Sequence, residues 1–315
     1  MKLAILDDYQ KVAFEYADWS QVKTHCEVFR FNSYLGSEED IVEALESFTI
    51  ICCMRERTSF SASVLKRLPN LKLLVTTGAK NAAIDLKEAE VLGILVCGTQ
   101  SPGHAAAELA WALLMSLAKN LHIEDQQVRQ GQWQTKVGTD LKGQVLGIVG
   151  LGRHGENVAR FAKAFGMTCI AWSQNLEPQR CEALGVQYVD KETLFRTADM
   201  ISVHLKMGQR NRSLISKAEF KLMKKTVILV NTSRGPIIDE AALLDALAQK
   251  RIRGVGLDVY NVEPLPTSHP LLLSDRVLLS PHIGYVTEQT YDVFYSQTVD
   301  AVLAWLNKKP IRTLN

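Results

Sequence analysis

Three clusters of polar residues sit just past apolar runs in the second half of the chain. The run over 227–231 leads into Thr232-Ser233-Arg234-Gly235. The run over 255–259 contains Asp258 and is followed, past a turn, by Glu263-Pro264. The run over 277–280 leads into Pro281-His282-Ile283-Gly284. If the runs are strands of an open α/β sheet, these residues lie where such sheets collect ligands. Hydride reduction of a 2-oxo acid needs one group to bind and polarise the carboxylate/carbonyl pair and another to donate a proton to the developing alkoxide. Arg234 suits the first task, because its planar, permanently charged fork binds two oxygens at once. His282 suits the second, because an imidazole titrates near working pH. Glu263, if adjacent, would favour the imidazolium and fix the ring. Asp258 could accept a hydrogen bond from a nicotinamide carboxamide. Singly, an arginine or histidine after a strand is commonly an ion-pair partner or a loop residue; the specificity lies in the combination.

A second motif gives the combination its context. Leu146-Gly147-Ile148-Val149 runs into Gly150-Leu151-Gly152-Arg153-His154-Gly155. A helical stretch follows, with Val158, Phe161, Ala162 and Phe165 on one side and Gly166 at its end. This is GxGxxG between a strand and a helix, the dinucleotide fingerprint. Gly150 permits the tight turn, Gly152 the approach of a pyrophosphate and Gly155 close helix packing, while the helix N-terminus offers free N–H groups. Arg153 could add a phosphate contact. The acid expected about 20 residues on, for the ribose 2′-hydroxyl, is replaced by Ser173, followed by Gln174 and Asn175. Ser173 can bond a hydroxyl but repels no phosphate, and no arginine lies beside it in sequence. The reading is NAD, with NADP open. The cofactor-binding set is Gly150, Gly152, Arg153, His154, Gly155, Ser173, Thr232 and Asp258.

These residues must be positioned by alternating strands and helices. The first ~100 residues show short apolar runs over 3–6, 50–54, 73–76 and 94–97 separated by amphipathic stretches, the pattern of a parallel sheet with crossover helices. Residues 105–120 (AAAELAWALLMSLAKN) form a long helix, apolar on nearly every face, which predicts burial between domains or subunits. From Gln144 the alternation restarts, with strands predicted over 145–149, 168–172, 186–189, 200–205, 227–231, 255–259 and 277–280: a doubly wound sheet. The stretch over 287–306 is helical, too short for a domain, and must pack onto something already built.

Composition supports small-molecule chemistry. A chain of 315 residues, 47% hydrophobic, can bury a large core and favours two domains. A net charge of +2, with no basic run interleaved with aromatics, excludes the electrostatic footprint of a nucleic-acid binder. The opening residues lack signal-peptide features and no run reaches the ~18 apolar residues of a membrane span. The expectation is a cytoplasmic protein without nucleic-acid or membrane partners. Six cysteines (Cys26, Cys52, Cys53, Cys97, Cys169, Cys181) form no CxxC pair or Cys/His cluster, so reduced, buried thiols and no metal are predicted.

With these residues in view, the sequence resembles the D-isomer-specific 2-hydroxyacid dehydrogenase family, of the phosphoglycerate and glyoxylate/hydroxypyruvate reductase kind, from about Leu73 onward. The resemblance is carried by GLGRHG at 150–155, VNTSRGPIIDE at 230–240, GLDVYNVEPLP at 256–266 and SPHIGYVT at 280–287. It places the family's substrate arginine, assisting glutamate and acid/base histidine on Arg234, Glu263 and His282, and its nicotinamide-site aspartate on Asp258. It implies a doubly wound parallel (Rossmann) coenzyme domain over 99–286. A second, flavodoxin-like α/β substrate domain would be formed by 1–98 plus 287–315, with a homodimer built through the helix over 105–120. D specificity is likewise inherited. The family's substrate loop falls on Thr77-Gly78-Ala79-Lys80-Asn81, and Gly78, Ala79 and Lys80, with Arg234, are the expected substrate-binding residues. Departures from the family pattern lie at Lys80 and Asn81 in that loop, where they would alter selectivity, and at Lys206, where a proline is common; what the side chains of His104, Lys80 and Lys206 do is left open. The activity implied is hydride transfer between NAD(P)H and C2 of a small 2-oxo/2-hydroxy acid. The alternative is a nucleotide-sensing corepressor-like protein on the same fold. A formate-dehydrogenase-like reading is disfavoured by Glu263, and a purely structural role would make the placement of arginine, glutamate and histidine a coincidence.

Overall fold

The computed structural model describes all residues 1–315, which divide into two compact units, Met1–Pro102 with Val286–Asn315, and Gly103–Tyr285. In the first unit β1 (Lys2–Ile5), β2 (Glu27–Arg30), β3 (Ile50–Cys53), β4 (Leu73–Thr76) and β5 (Leu95–Gly98) form an all-parallel sheet in the order β2-β1-β3-β4-β5. β3 and β4, IICC and LLVT, are buried along their whole length, as continuous apolar runs between two helical layers must be. β2 is half exposed, and its mixed sequence, EVFR, gives no strand signal; it pairs at the edge and was not anticipated. The helix Glu288–Leu306 packs on β4 and β5, burying Tyr291, Phe294, Val299 and Val302. Beyond it the chain returns to β5: Leu314 N donates to Val96 O (2.8 Å), and the Asn315 side chain bonds Val96 N and Ile94 O.

The second unit carries β6 (Val145–Val149), β7 (Thr168–Trp172), β8 (Gln187–Tyr188), β9 (Met200–Val203), β10 (Ile228–Asn231), β11 (Gly254–Leu257) and β12 (Val277–Leu279), all parallel, in the order β12-β11-β10-β9-β6-β7-β8. The order reverses between β6 and β9, so a ligand crevice is expected outside their carboxyl ends. One face of the sheet is covered by a cluster including Leu194, Phe195, Phe220, Leu243 and Leu247. The other is covered by the helices Ala105–Lys119 and Arg153–Ala164, through Leu113, Leu114, Leu117, Val158 and Ala162. The apolar character of Ala105–Lys119 therefore has a cause inside this unit: it lies against β10, β11 and the helix Arg153–Ala164. Gly256 belongs to that fit, since a methyl there would stand 3.1 Å from Leu113 and Leu117. The chain thus comprises a doubly wound Rossmann-type unit and a second parallel α/β unit.

Candidate active site

The turn after β6 is shaped by what its glycines leave out. Gly150 has φ +100°, and a Cβ there would stand 2.8 Å from the carbonyl oxygen of His204. A Cβ on Gly155 would fall inside the carbonyl oxygen of Gly150, so the helix can seat on the turn only without one. Gly152 is different: a Cβ would point into open space. The first two glycines close the backbone, and the third keeps a surface bare. No side chain caps the helix Arg153–Ala164, leaving its first-turn N–H groups for an anion. The polar atoms of this unit buried without protein partners include His154 Nδ1 in that first turn and Asn211 Oδ1 in the loop past β9. A bare backbone turn, an uncapped helix and an orphaned polar atom in its first turn fit a dinucleotide pyrophosphate.

The histidines here are neutral. Burial, then Arg153 and His104, holds His154 below the usual imidazole range, and burial, then His154, pushes His204 down to about 3. His204 Nε2 pairs with Ser202 Oγ at 2.8 Å. Arg153 folds against Gly103, where its guanidinium occupies the space a Cβ would take. Past the end of β7, Gln174 Nε2 donates to the backbone carbonyl oxygen of Arg210 at 3.2 Å, from a loop 36 residues away.

The carboxyl ends of β10, β11 and β12 build the second half of the site. Asn231, fully buried at the end of β10, clamps the next turn by donating from Nδ2 to Arg234 O (2.9 Å) and accepting from Ser233 N (3.0 Å). Ser233 Oγ donates to Val203 O (2.7 Å), and Arg234 Nη1 to Ser233 O (2.7 Å). Thr232 Oγ1 reaches only Ala106 O, at 3.5 Å.

His282 has φ +52°, a conformation costly for an ordinary side chain, and the surrounding bonds show what holds it. Asp258, fully buried, accepts from Ser280 Oγ (2.7 Å), Ile283 N (2.8 Å) and Gly284 N (2.9 Å). Burial still raises its carboxyl above the usual range against those donors. Tyr260 OH donates to Leu257 O and Ser280 O, at 3.1 and 2.9 Å, and burial, then Asp258, pushes that phenol up. Glu263 is held at both oxygens, by Tyr260 N on Oε1 (2.9 Å) and by His282 Nδ1 on Oε2 (2.6 Å). A carboxylate on Nδ1 fixes the tautomer in which Nδ1 carries hydrogen, leaving Nε2 to exchange a proton with a ligand. The structure thus joins Asp258, Glu263 and His282 in one network, with Arg234 at the end of the adjacent strand. The anchoring part of Asp258 was missed, because its partners lie more than 20 residues ahead and two of them are backbone N–H groups.

The loop after β4 belongs to the first unit. Gly78 is buried and its N–H is taken up by Thr99 Oγ1 at 2.7 Å, so of the three loop residues Ala79 and Lys80, both exposed, are the ones with uncommitted N–H groups. Asn81 is buried and acts as a staple: Nδ2 donates to Arg55 O (2.6 Å) and Thr76 Oγ1 (2.8 Å). Arg55, not singled out from sequence, has its guanidinium against the Gly78 α-carbon. All six cysteines are free and buried.

A Gly-rich turn at the switch point of a doubly wound sheet, with a carboxylate-imidazole pair three strands away at the same edge, defines a nicotinamide-dependent oxidoreductase. Residues 111–284 match the NAD-binding domain of the D-isomer specific 2-hydroxyacid dehydrogenases. Over 239 residues the chain is 39% identical to a glyoxylate reductase from Aeropyrum pernix, covering 72% of this chain and 71% of that one. Over 258 residues it is 35% identical to a D-3-phosphoglycerate dehydrogenase from Archaeoglobus fulgidus, covering 80% of this chain and 48% of that one. A phosphoglycerate oxidoreductase from Vibrio cholerae superposes with a TM-score of 0.92 at 34% identity, over 98% of this chain and 99% of that one. The chain belongs to the D-isomer specific 2-hydroxyacid dehydrogenase family and is an NAD(P)-dependent hydride-transfer enzyme.

Proposed function

We propose that the chain reduces a small 2-oxo acid to its D-2-hydroxy acid, or runs the reverse. The observation that carries this reading is the Glu263–His282 pair, 2.6 Å apart and anchored on both sides. Bound reduced nicotinamide supplies the hydride to C2. The protein's part is to hold the acid and manage one proton. Arg234 takes the substrate carboxylate, assisted by Ala79 and Lys80 N–H and by Gly78, which shapes the loop. His282 Nε2 gives its proton to the oxygen that becomes the hydroxyl, and Glu263 stabilises the imidazolium that must be present beforehand. One hydride and one proton enter, and a hydroxy acid and oxidised dinucleotide leave. Gly150, Gly152, Gly155, Arg153 and His154 line the pyrophosphate turn, Ser173 meets the ribose, and Thr232 and Asp258 border the nicotinamide. Residues 1–98 with 287–315 would serve as the substrate domain and 99–286 as the coenzyme domain.

Glyoxylate is the first acid to try, since a glyoxylate reductase is 39% identical over 239 residues. The assay is loss of reduced-nicotinamide absorbance with glyoxylate, hydroxypyruvate, pyruvate and phosphohydroxypyruvate. Turnover with one of them, abolished in His282→Ala, supports the reading; wild-type turnover in that variant would refute the role of His282.

We also propose a homodimer through the helix Ala105–Lys119. The segment after that helix leaves Trp133 and Val137 exposed at 77% and 89%, apolar surface that a second copy would cover; sedimentation as a monomer at micromolar concentration would exclude it. No helix is long and apolar enough to cross a membrane, and six free thiols fit a reducing cytoplasm.

A further inference from the structure

Tyr260 touches both halves of the carboxylate-imidazole pair. β11 and β12 run parallel, and their ladder closes at Leu257 and Leu279. Past that rung the two segments go on separately, one to Glu263 and the other to His282. The Tyr260 hydroxyl bridges them, 3.1 Å from Leu257 O and 2.9 Å from Ser280 O. Its backbone N–H donates to Glu263 Oε1 at 2.9 Å. One residue therefore holds the carboxylate by its amide and the turn before the imidazole by its phenol.

The hydroxyl does not serve an orphaned carbonyl. Leu257 O already accepts from Ser280 N at 2.8 Å, and Ser280 O from His282 N at 3.0 Å. With one proton to give, the phenol adds geometry to groups that the backbone has satisfied. Ser280 O is the atom through which this reaches the chemistry, because it holds the amide of His282, whose φ of +52° persists only while its surroundings enforce it. Glu263 needs an anchor for another reason. It belongs to a solvent-facing loop in which Asn261 is exposed and Val262 is 61% exposed, and Tyr260 is the last buried residue before it. The Tyr260 ring is packed in the apolar cluster that includes Leu243, Leu247 and Leu271. Burial, then the charge of Asp258, pushes the phenol up, so it stays a donor and gives no proton to the reaction.

We propose that Tyr260 is a positioning residue for the proton transfer: its buried ring fixes its hydroxyl and its amide, and through them sets the 2.6 Å separation of Glu263 Oε2 and His282 Nδ1. A phenylalanine in its place fills the same space and keeps the amide but loses the tie to Ser280 O. The His282 turn is then held only by the bonds to Asp258 and by the backbone. A charge-assisted bond this short depends steeply on geometry, and the imidazole it orients must meet the reacting oxygen within hydrogen-bond reach. A small displacement of the ring is therefore felt in the chemical step and not in binding. The proposal rests on the reading of His282 as proton donor and adds the residue that holds it in place.

The test is Tyr260→Phe, followed by spectroscopy as well as by turnover. In the free protein, proton NMR reads the His282 Nδ1–H, which a bond this short moves downfield; its absence in His282→Ala identifies it. In Tyr260→Phe that resonance is expected to move upfield as the bond lengthens. kcat is expected to fall about 10-fold, the worth of about one hydrogen bond, with substrate KM and dinucleotide Kd within about twofold of the parent. The same substitution in a Glu263→Gln background should cost less than about 3-fold, because the pair it serves is already broken. Leu247→Ala opens the same apolar cluster without touching the hydroxyl, and it should lower urea stability while leaving the resonance and kcat as in the parent. An unchanged kcat or an unmoved resonance in Tyr260→Phe, fully multiplicative losses in the double variant, or equal losses in Leu247→Ala would overturn the proposal. Wild-type turnover in His282→Ala would overturn instead the reading of His282 beneath it, and any role for Tyr260 with it.

Discussion

Asp7 lies just past β1 with φ +59° and 2% exposure. Its carboxyl accepts from Thr58 Oγ1 at 3.0 Å. Burial raises its pKa from 3.8 to about 6, outweighing Thr58, Arg57 and Tyr9, which act to lower it. At pH 5 the native chain holds a proton there that the unfolded chain has lost. The unfolded state binds fewer protons, so stability falls as pH rises from about 4 to 6, and the loss is complete above that window. The gap from 3.8 to about 6 corresponds to about 3 kcal/mol, at about 1.4 kcal/mol per factor of ten. Asp7→Asn removes the charge, keeps an oxygen to accept from Thr58, and places at positive φ a residue that tolerates it. The variant should be more stable than the parent by about 2–3 kcal/mol at pH 8, with the gain shrinking toward zero by pH 4. The assay is urea unfolding of both proteins across pH 4–8, followed through a probe in the first unit. A gain that does not change with pH, or no gain at pH 8, would refute the assignment of a buried, destabilising carboxylate.

Other substitutions separate shape from chemistry at the site. Gly152→Ala places a methyl where no protein atom stands within 4 Å; urea stability should stay within about 1 kcal/mol of the parent, while dinucleotide affinity measured by fluorescence falls more than ~10-fold. Gly155→Ala should do the reverse first, costing about 1–3 kcal/mol in thermal or urea unfolding, because its methyl meets the Gly150 carbonyl. Glu263→Gln keeps the shape but leaves the imidazolium without its counter-charge, and kcat should fall by about 10²–10⁴ with little change in dinucleotide binding. Ser280→Ala removes one of three donors to Asp258; a loss of about 1–3 kcal/mol in stability together with reduced kcat is expected, and unchanged kcat would mean that Asp258 does not position His282.

The readable and unreadable parts of the chain differ in how far apart the interacting residues lie. β6 and β7 stand where their apolar runs place them, because those runs cross a sheet buried on both faces. β2 escaped because an edge strand with one wet face can be EVFR as easily as a regular alternation. The strand predicted over 186–189 shortens to Gln187–Tyr188 for the same reason, at the opposite edge of the other sheet. At the site, residue types and spacing announce Arg234, Glu263 and His282, since the chemistry needs those side chains. Spacing is silent on Thr99 occupying Gly78 N–H, on backbone amides of the 280–284 turn converging on Asp258, and on Arg210 arriving beside Gln174. Those are consequences of which loops a parallel sheet gathers at one edge.

The way the chain returns to β5 has a consequence for synthesis. β5 is an edge strand, and its free side is met by the antiparallel bridge between Cys97 and Thr313 and by the bonds from Leu314 and Asn315. A ribosome makes β5 more than 200 residues before the segment that covers it. Throughout that interval, while the whole second unit is made and can fold, the nascent first unit carries an open sheet edge and lacks the helix over β4 and β5. Its lifetime in that state is set by translation, at about 5–20 residues per second, so for roughly 10–40 seconds the unfinished sheet is a template for another strand.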